Sequence, residues 1–282
     1  MLIELKIKLV PSIFSSFFIK DEGMKLFNKV KQISIKQLIK EKENIYQGKQ
    51  HPIKYMFLPE KNSPYLIVVL SGFNGREALK EDAKFNYIKT LINIKCNKLY
   101  IMDEVDNIPT YYYGTKSEPN YLNDSASLIQ EIMSQHNIKR EHLIIAGSSK
   151  GGTGAILIGN ALKAGYIIAG APQYFPLNYL NEINEKARTL IFNNILKHED
   201  DFESVQNDMK EKMLNLDEST KLFLHAGNQD LHYIKHLRPY MSMLTKRKKL
   251  YALDLQHYEG HQNLKYKFPV FLTRIIHEII SD

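Results

Sequence analysis

Apolar residues in this chain gather into short continuous runs, each followed by a stretch with helical spacing, from about Ile45 onward. Ile53 to Leu58 reads as a strand, Pro59 to Pro64 as a turn, and Tyr65 to Leu70 as an unbroken apolar run closed by Ser71-Gly72. A run that is apolar on both faces suits a central strand covered on two sides. A helix is expected over Glu77 to Ile92 and a strand over Lys98 to Met102, ending at Asp103. A loop rich in Tyr, Gly and Pro follows from Asn107 to Asn120, then a helix over Tyr121 to His136. His142 to Ala146 reads as a buried strand, Gly147 to Gly152 as a glycine and serine turn, and Thr153 to Lys163 as an apolar helix. Tyr166 to Ala169 is a further strand, and a charged helical insertion runs from about Leu177 to Ser219. Lys221 to His225 with a helix behind it, the last strand Leu250 to Leu255, and an amphipathic helix over Phe268 to Ile280 close the pattern.

Alternation of this kind demands an α/β architecture: a mostly parallel sheet with helices on both faces, because right-handed crossovers place them there. No repeat or linker divides the chain, so one domain over residues 1–282 is expected. An extension of about 1–44 precedes the alternation, and the 177–219 insertion forms a small helical cap over one end of the sheet. Ligand sites in such sheets lie at the carboxyl ends of the strands, which ranks candidate residues by position.

At the amino terminus, Leu5, Ile7 and Leu9 alternate with Glu4, Lys6 and Lys8, a strand pattern without the apolar core of a signal peptide. No uncharged apolar stretch approaches the roughly 20 residues of a spanning helix, so no membrane span is expected. The 282 residues are 44% hydrophobic and 24% charged, ordinary globular composition. Lys and Arg exceed Asp and Glu by 7, a mild positive field that favours acidic small molecules and polyanions. The excess is scattered, with one dense run at Lys246 to Lys249, and no zinc-finger, basic-helix or RNA-platform signature accompanies it, so nucleic acid is not expected as a partner. The single cysteine, Cys96, permits no internal disulfide and fits a reducing compartment.

Gly147-Ser148-Ser149-Lys150-Gly151 fits G-x-S-x-G between a strand and a helix, the context of a nucleophile elbow. A sharp strand-to-helix bend strains the central residue, and Gly147 and Gly151 on either side let the chain pass without a side-chain clash. The bend presents the Ser149 hydroxyl above the sheet and sets the Lys150 N–H where negative charge would develop on an attacked carbonyl oxygen. A phosphate-cradling loop has the same strand, glycine loop and helix, but the Walker order is absent because Lys150 precedes Gly151 and Gly152.

A serine needs a base and an orienting carboxylate. Of ten histidines, His225 falls in a strand, His232 and His236 in a helix and His277 in the last helix, where packing or solvent contact is expected. His257 and His261 both follow the last strand, and His261, after Glu259-Gly260, is favoured by its loop position. Asp230 directly follows a strand and gives the chain order Ser, Asp, His; Asp103 and Asp254 are the rivals. A second oxyanion donor is sought in Ser71-Gly72-Phe73-Asn74-Gly75, at the N–H of Phe73 or Asn74. Cys96 precedes a strand, at the wrong end for such a site. His232 and His236 lack the glutamate of H-E-x-x-H, so a solvated helix face and no metal are expected.

The run Gly147 to Gly152 resembles the Gly-Ser-Ser-Lys-Gly-Gly segment of bacterial capsular polysaccharide biosynthesis proteins of the XcbB/CpsF type, capsule O-acetyltransferases and accessory Sec glycan O-acetyltransferases. The resemblance implies the α/β-hydrolase fold from about residue 45, with Ser149, Asp230 and His261 in the catalytic positions. It implies acetyl-CoA as co-substrate, no permanently bound cofactor, a polysaccharide or glycan acceptor, and a cytoplasmic place at the inner membrane beside capsule assembly proteins. An esterase or deacetylase of the same fold and a non-catalytic scaffold in glycan assembly remain as alternatives. Neither the sugar nor the oligomeric state follows from these residues.

Overall fold

A computed structural model describes residues 35–73 and 84–281. The chain divides into two compact units, residues 1–41 and 42–282. In the first unit the described residues, 35–41, are helical. The strand expected around Leu5 to Leu9 lies outside the described residues.

The second unit is built on an eight-stranded sheet: β1 Glu43–Gln47, β2 Pro52–Leu58, β3 Leu66–Leu70, β4 Asn97–Ile101, β5 Leu143–Ser148, β6 Tyr166–Gly170, β7 Lys221–Gln229 and β8 Ala252–Glu259. Their spatial order is β1-β2-β4-β3-β5-β6-β7-β8. β2 is antiparallel to both β1 and β4, and every pairing from β4 to β8 is parallel. This is the α/β-hydrolase arrangement expected above, with β3 and β5 at the centre. Every residue of β3 and β4 is buried, as strands covered on both faces require. Each large aliphatic side chain so buried contributes about 2 kcal/mol.

The helices are α1 Ile88–Leu91, α2 Asn120–Gln135, α3 Lys150–Leu162, α4 Pro176–Glu182, α5 Glu185–Ile195, α6 Phe202–Leu214, α7 Arg238–Lys246 and α8 Leu264–Ser281. α3 is buried along nearly its whole length, in keeping with its apolar sequence. The 177–219 segment supplies α4, α5 and α6 between β6 and β7.

Several expectations need adjustment. Of the helix expected over Glu77 to Ile92, the described part is the single turn α1, and its beginning lies outside the described residues. β1 carries no alternating apolar pattern and was not expected; its Ile45 is exposed at the sheet edge. The last strand starts two residues later than expected and runs to Glu259, so His257 lies inside it. Tyr111, Tyr112 and Tyr113, in the loop after β4, are buried and pack into the core.

Candidate active site

β5 ends at Ser148 and α3 begins at Lys150, leaving Ser149 alone at the bend with φ 54° and ψ −125°. Such backbone geometry costs a non-glycine residue about 1–3 kcal/mol and persists only where the surroundings impose it. The imposing contacts involve the two flanking glycines. A Cβ on Gly147 would sit 2.2 Å from the Gly151 carbonyl oxygen, and one on Gly151 would sit 2.6 Å from the Leu70 carbonyl oxygen. The Ser149 N–H donates to the Gly170 carbonyl at 2.8 Å, tying the bend to β6.

The Ser149 hydroxyl donates to Nε2 of His261 at 3.0 Å, and Nδ1 of His261 donates to Oδ2 of Asp230 at 2.9 Å. Asp230 follows β7, where the pairing with β8 shifts register between Gly227 and Gln229. A bulge of this kind bends the strand and re-aims the side chains beyond it. His261 opens a short turn after β8, entered through Gly260 at φ 73°, a conformation that suits glycine. The structure therefore brings Ser149, His261 and Asp230 together. Of the rivals, Asp103 lies in a buried ion pair with Lys150, Nζ to Oδ2 3.1 Å, and Asp254 bonds His225 across the β7–β8 ladder at 2.6 Å. Burial pushes the Cys96 thiol up to about 11, the opposite of an activated nucleophile.

The solvated face expected for His232 and His236 is overturned: both are buried. They lie on the helical run after β7, which contains a π-turn over Tyr233–Leu237, and Tyr179 of α4 packs on both rings. His232 lies parallel to His261, and its backbone N–H donates to Oδ1 of Asp230 at 2.9 Å. Its Nδ1 is 3.3 Å from the same oxygen. Burial alone would raise the Asp230 carboxyl, but hydrogen bonds from His232 and His261 outweigh it and hold the group well below the usual carboxylate range. Burial lowers both helical histidines, His236 to about 4.

Ligand atoms of Asp230, His232 and His261 lie within 4.8 Å of one another, a set that sequence spacing does not join. The Nδ1 atoms of the two histidines face different oxygens of Asp230, so a cation there would displace both of those interactions.

Ser149 has a further partner that sequence spacing does not reveal. Gln173, wholly buried three residues beyond β6, donates from Nε2 to Ser149 Oγ at 3.0 Å. No motif marks it; the left-handed Ala171, φ 41°, turns the chain back toward the elbow. Tyr87 is bonded to the Ser148 hydroxyl beside the site, and burial raises its phenol to about 12.

A cavity of about 390 Å³ opens beside Ser149 and His261, with Gly72, Phe73 and Tyr87 in its wall. Among the described residues lining it, Lys84 and Lys265 are cationic and none is anionic. Lys150 sits in the first turn of α3, where helix amides have no partner within the helix. Phe73 borders the cavity, whereas Asn74 lies outside the described residues. The Gly72 N–H is already engaged by Asn86 Oδ1 at 2.8 Å.

No protein-family model matches the chain, and no curated protein matches it. Solved structures do. The capsule O-acetyltransferase of Neisseria meningitidis serogroup A aligns with a TM-score of 0.67 at 18% identity, covering 86% of this chain and 99% of that one. A mutant of that acetyltransferase in complex with CoA aligns at 0.64 and 18% identity, covering 83% and 94%. The S-formylglutathione hydrolase of Staphylococcus aureus aligns at 0.62 and 15% identity, covering 84% and 97%. At these identities the likeness establishes a shared fold.

Proposed function

We propose that the protein is a serine-dependent O-acetyltransferase that moves acetyl from acetyl-CoA to hydroxyls of a bacterial capsular or surface polysaccharide. The observation that carries the reading is the hydrogen-bonded row from Ser149 through His261 to the buried Asp230, at the carboxyl end of the sheet. A scaffold protein would have no need to keep these side chains in register. Acetyl transfer in particular is supported by the similarity to a capsule O-acetyltransferase that also binds CoA, and by two lysines on a cavity wall that carries no described carboxylate. An acidic co-substrate fits such a wall.

In this mechanism His261 Nε2 takes the Ser149 proton as Oγ attacks the acetyl carbon of the thioester. The carbonyl oxygen becomes an oxyanion and meets the N–H of Lys150 and that of Phe73 or Asn74. The carbon–sulfur bond then breaks, His261 returns the proton to the sulfur, and CoA leaves acetyl on Ser149. An acceptor hydroxyl next gives its proton to His261 and attacks the acetyl carbon. The Ser149 oxygen departs and recovers the proton. Asp230 holds the His261 tautomer that keeps Nε2 free, and Gly147 and Gly151 hold the elbow. No permanently bound cofactor takes part. Helices α4 to α6 serve as the cap, and the protein works in the cytoplasm at the periphery of the inner membrane.

A carboxylesterase or deacetylase is the second reading, favoured by the S-formylglutathione hydrolase of the same fold. Both reactions pass through acyl-Ser149 and differ in what accepts the acyl group. Release of CoA from acetyl-CoA, measured with and without capsular polysaccharide, separates them. Acceptor-dependent release with acetyl found on the glycan supports the transferase. Release indifferent to glycan supports the hydrolase, and release unchanged in Ser149→Ala removes the serine mechanism.

A further inference from the structure

We propose that Gln173 is a catalytic residue of this site, a dedicated hydrogen-bond donor to the reacting oxygen of Ser149; this rests on Ser149 being the nucleophile. The Nε2 to Oγ distance is 3.0 Å and Gln173 has no exposed surface, so water does not compete for the contact.

The buried Thr153 sets the orientation of the carboxamide. Its Oγ1 accepts the Gln173 backbone N–H at 2.8 Å, and its own hydrogen faces the Gln173 carbonyl at 3.1 Å and the side-chain Oε1 at 3.2 Å. With Oε1 turned toward that donor, Nε2 faces Ser149. The opposite orientation would offer the serine hydroxyl two acceptors for its single hydrogen and no donor for its lone pairs. In the observed arrangement Ser149 donates to His261 and accepts from Gln173.

Charge reaches Oγ twice in the reaction. As the Ser149 proton passes to His261, negative charge grows on Oγ before the bond to the acyl carbon is complete. When acetyl is later handed on, the bond from Oγ to that carbon breaks and charge returns to Oγ until His261 gives the proton back. A hydrogen bond to a charged acceptor is stronger than one to a neutral hydroxyl, so the Gln173 N–H stabilises both passages more than it stabilises the resting enzyme. The oxyanion donors act on the carbonyl oxygen, a different atom. The difference between a neutral and a charge-assisted bond corresponds to about a ten-fold change in rate.

The test uses the full chain, a fluorophosphonate that phosphonylates serine nucleophiles, and p-nitrophenyl acetate. Gln173→Met keeps the length and removes the donor. Gln173→Glu replaces the donor with a group that can donate when protonated. We expect Gln173→Met to lower the rate of fluorophosphonate labelling and kcat for the ester by about ten-fold with KM unchanged. Gln173→Glu should lose more at about pH 8, with its rate relative to wild type recovering as the pH falls toward about 5.5. The proposal is overturned if Gln173→Met stays within about two-fold of wild type or if the Gln173→Glu ratio is flat. Should Gln173→Met fail to fold, the pH dependence of Gln173→Glu decides. Wild type inert to both reagents, or labelled equally as Ser149→Ala, would remove the nucleophile reading and this proposal with it.

Discussion

The imidazole of His232 lies against that of His261, with ring centroids 3.7 Å apart and planes within 19°, and both residues bond to the single carboxylate of Asp230. One oxygen of Asp230 serves each histidine, so the carboxylate cannot rotate without losing a partner from either side. The stacked ring also limits how His261 tilts away from Ser149.

This arrangement makes His232 a positioning residue. His232→Ala should lower kcat/KM for a chromogenic ester by about ten-fold, since the Nδ1 contact with Asp230 and the stacking surface are lost while the backbone N–H bond to Asp230 remains. His232→Phe, which keeps the stacking, should lose less. Asp230→Asn should cost far more, about three to four orders of magnitude, because the His261 tautomer is no longer fixed. Equal losses in His232→Ala and His232→Phe would argue against the stacking contribution.

Lys150 and Asp103 are both wholly buried and form an ion pair beneath the elbow. Removing one partner strands the other charge in the core, so Lys150→Met or Asp103→Asn alone should cost about 3–5 kcal/mol in urea unfolding. The double variant should recover part of that loss, because no uncompensated charge remains. Additive losses would contradict the pairing.

The elbow depends on the closeness of α3 to β3. In Gly151→Ala the new methyl meets the Leu70 and Ser71 carbonyl oxygens at 2.6 and 2.9 Å, and backbone must move to admit it. A destabilisation of about 1–3 kcal/mol is expected by calorimetry, together with slower fluorophosphonate labelling of Ser149. A variant with wild-type stability and labelling would show that the spacing is not required.

Much of the geometry of this candidate site was legible in the sequence. Ser149 was marked by a motif with the right flanks, and Asp230 and His261 by chain order and their places after strands. Gln173 was not, because it belongs to no motif and reaches Ser149 through a left-handed turn at Ala171. His232 and His236 read as surface positions because local spacing does not reveal that Tyr179 of a separate helix covers them. β1 escaped notice because an edge strand has little apolar face to announce it, and the end of β8 because its polar residues lie along the opposite edge.

Three buried histidines, His225, His232 and His236, have their protonation opposed by burial. For His236 the folded value falls from 6.5 to about 4. Within that window the unfolded chain binds a proton that the folded protein does not. Stability is therefore complete above about pH 6.5 and declines as pH falls, by up to about 3 kcal/mol from His236 alone. Asp230, lowered in the fold, adds a further loss as pH drops below the usual carboxylate range. Denaturant unfolding at about pH 7.5 and pH 4.5 should show this decline, and His236→Leu should make it shallower. Stability that rises on acidification would contradict the neutral, buried state of these rings.

The central claim is that Ser149 carries the acyl group. Its most direct test is mass spectrometry of the protein after brief mixing with acetyl-CoA in the absence of any glycan. The account predicts an acetyl adduct on the peptide containing Ser149, lost in Ser149→Ala and discharged when acceptor polysaccharide is added. An enzyme that turns over acetyl-CoA with no adduct on that peptide, or with the adduct intact in Ser149→Ala, would contradict it.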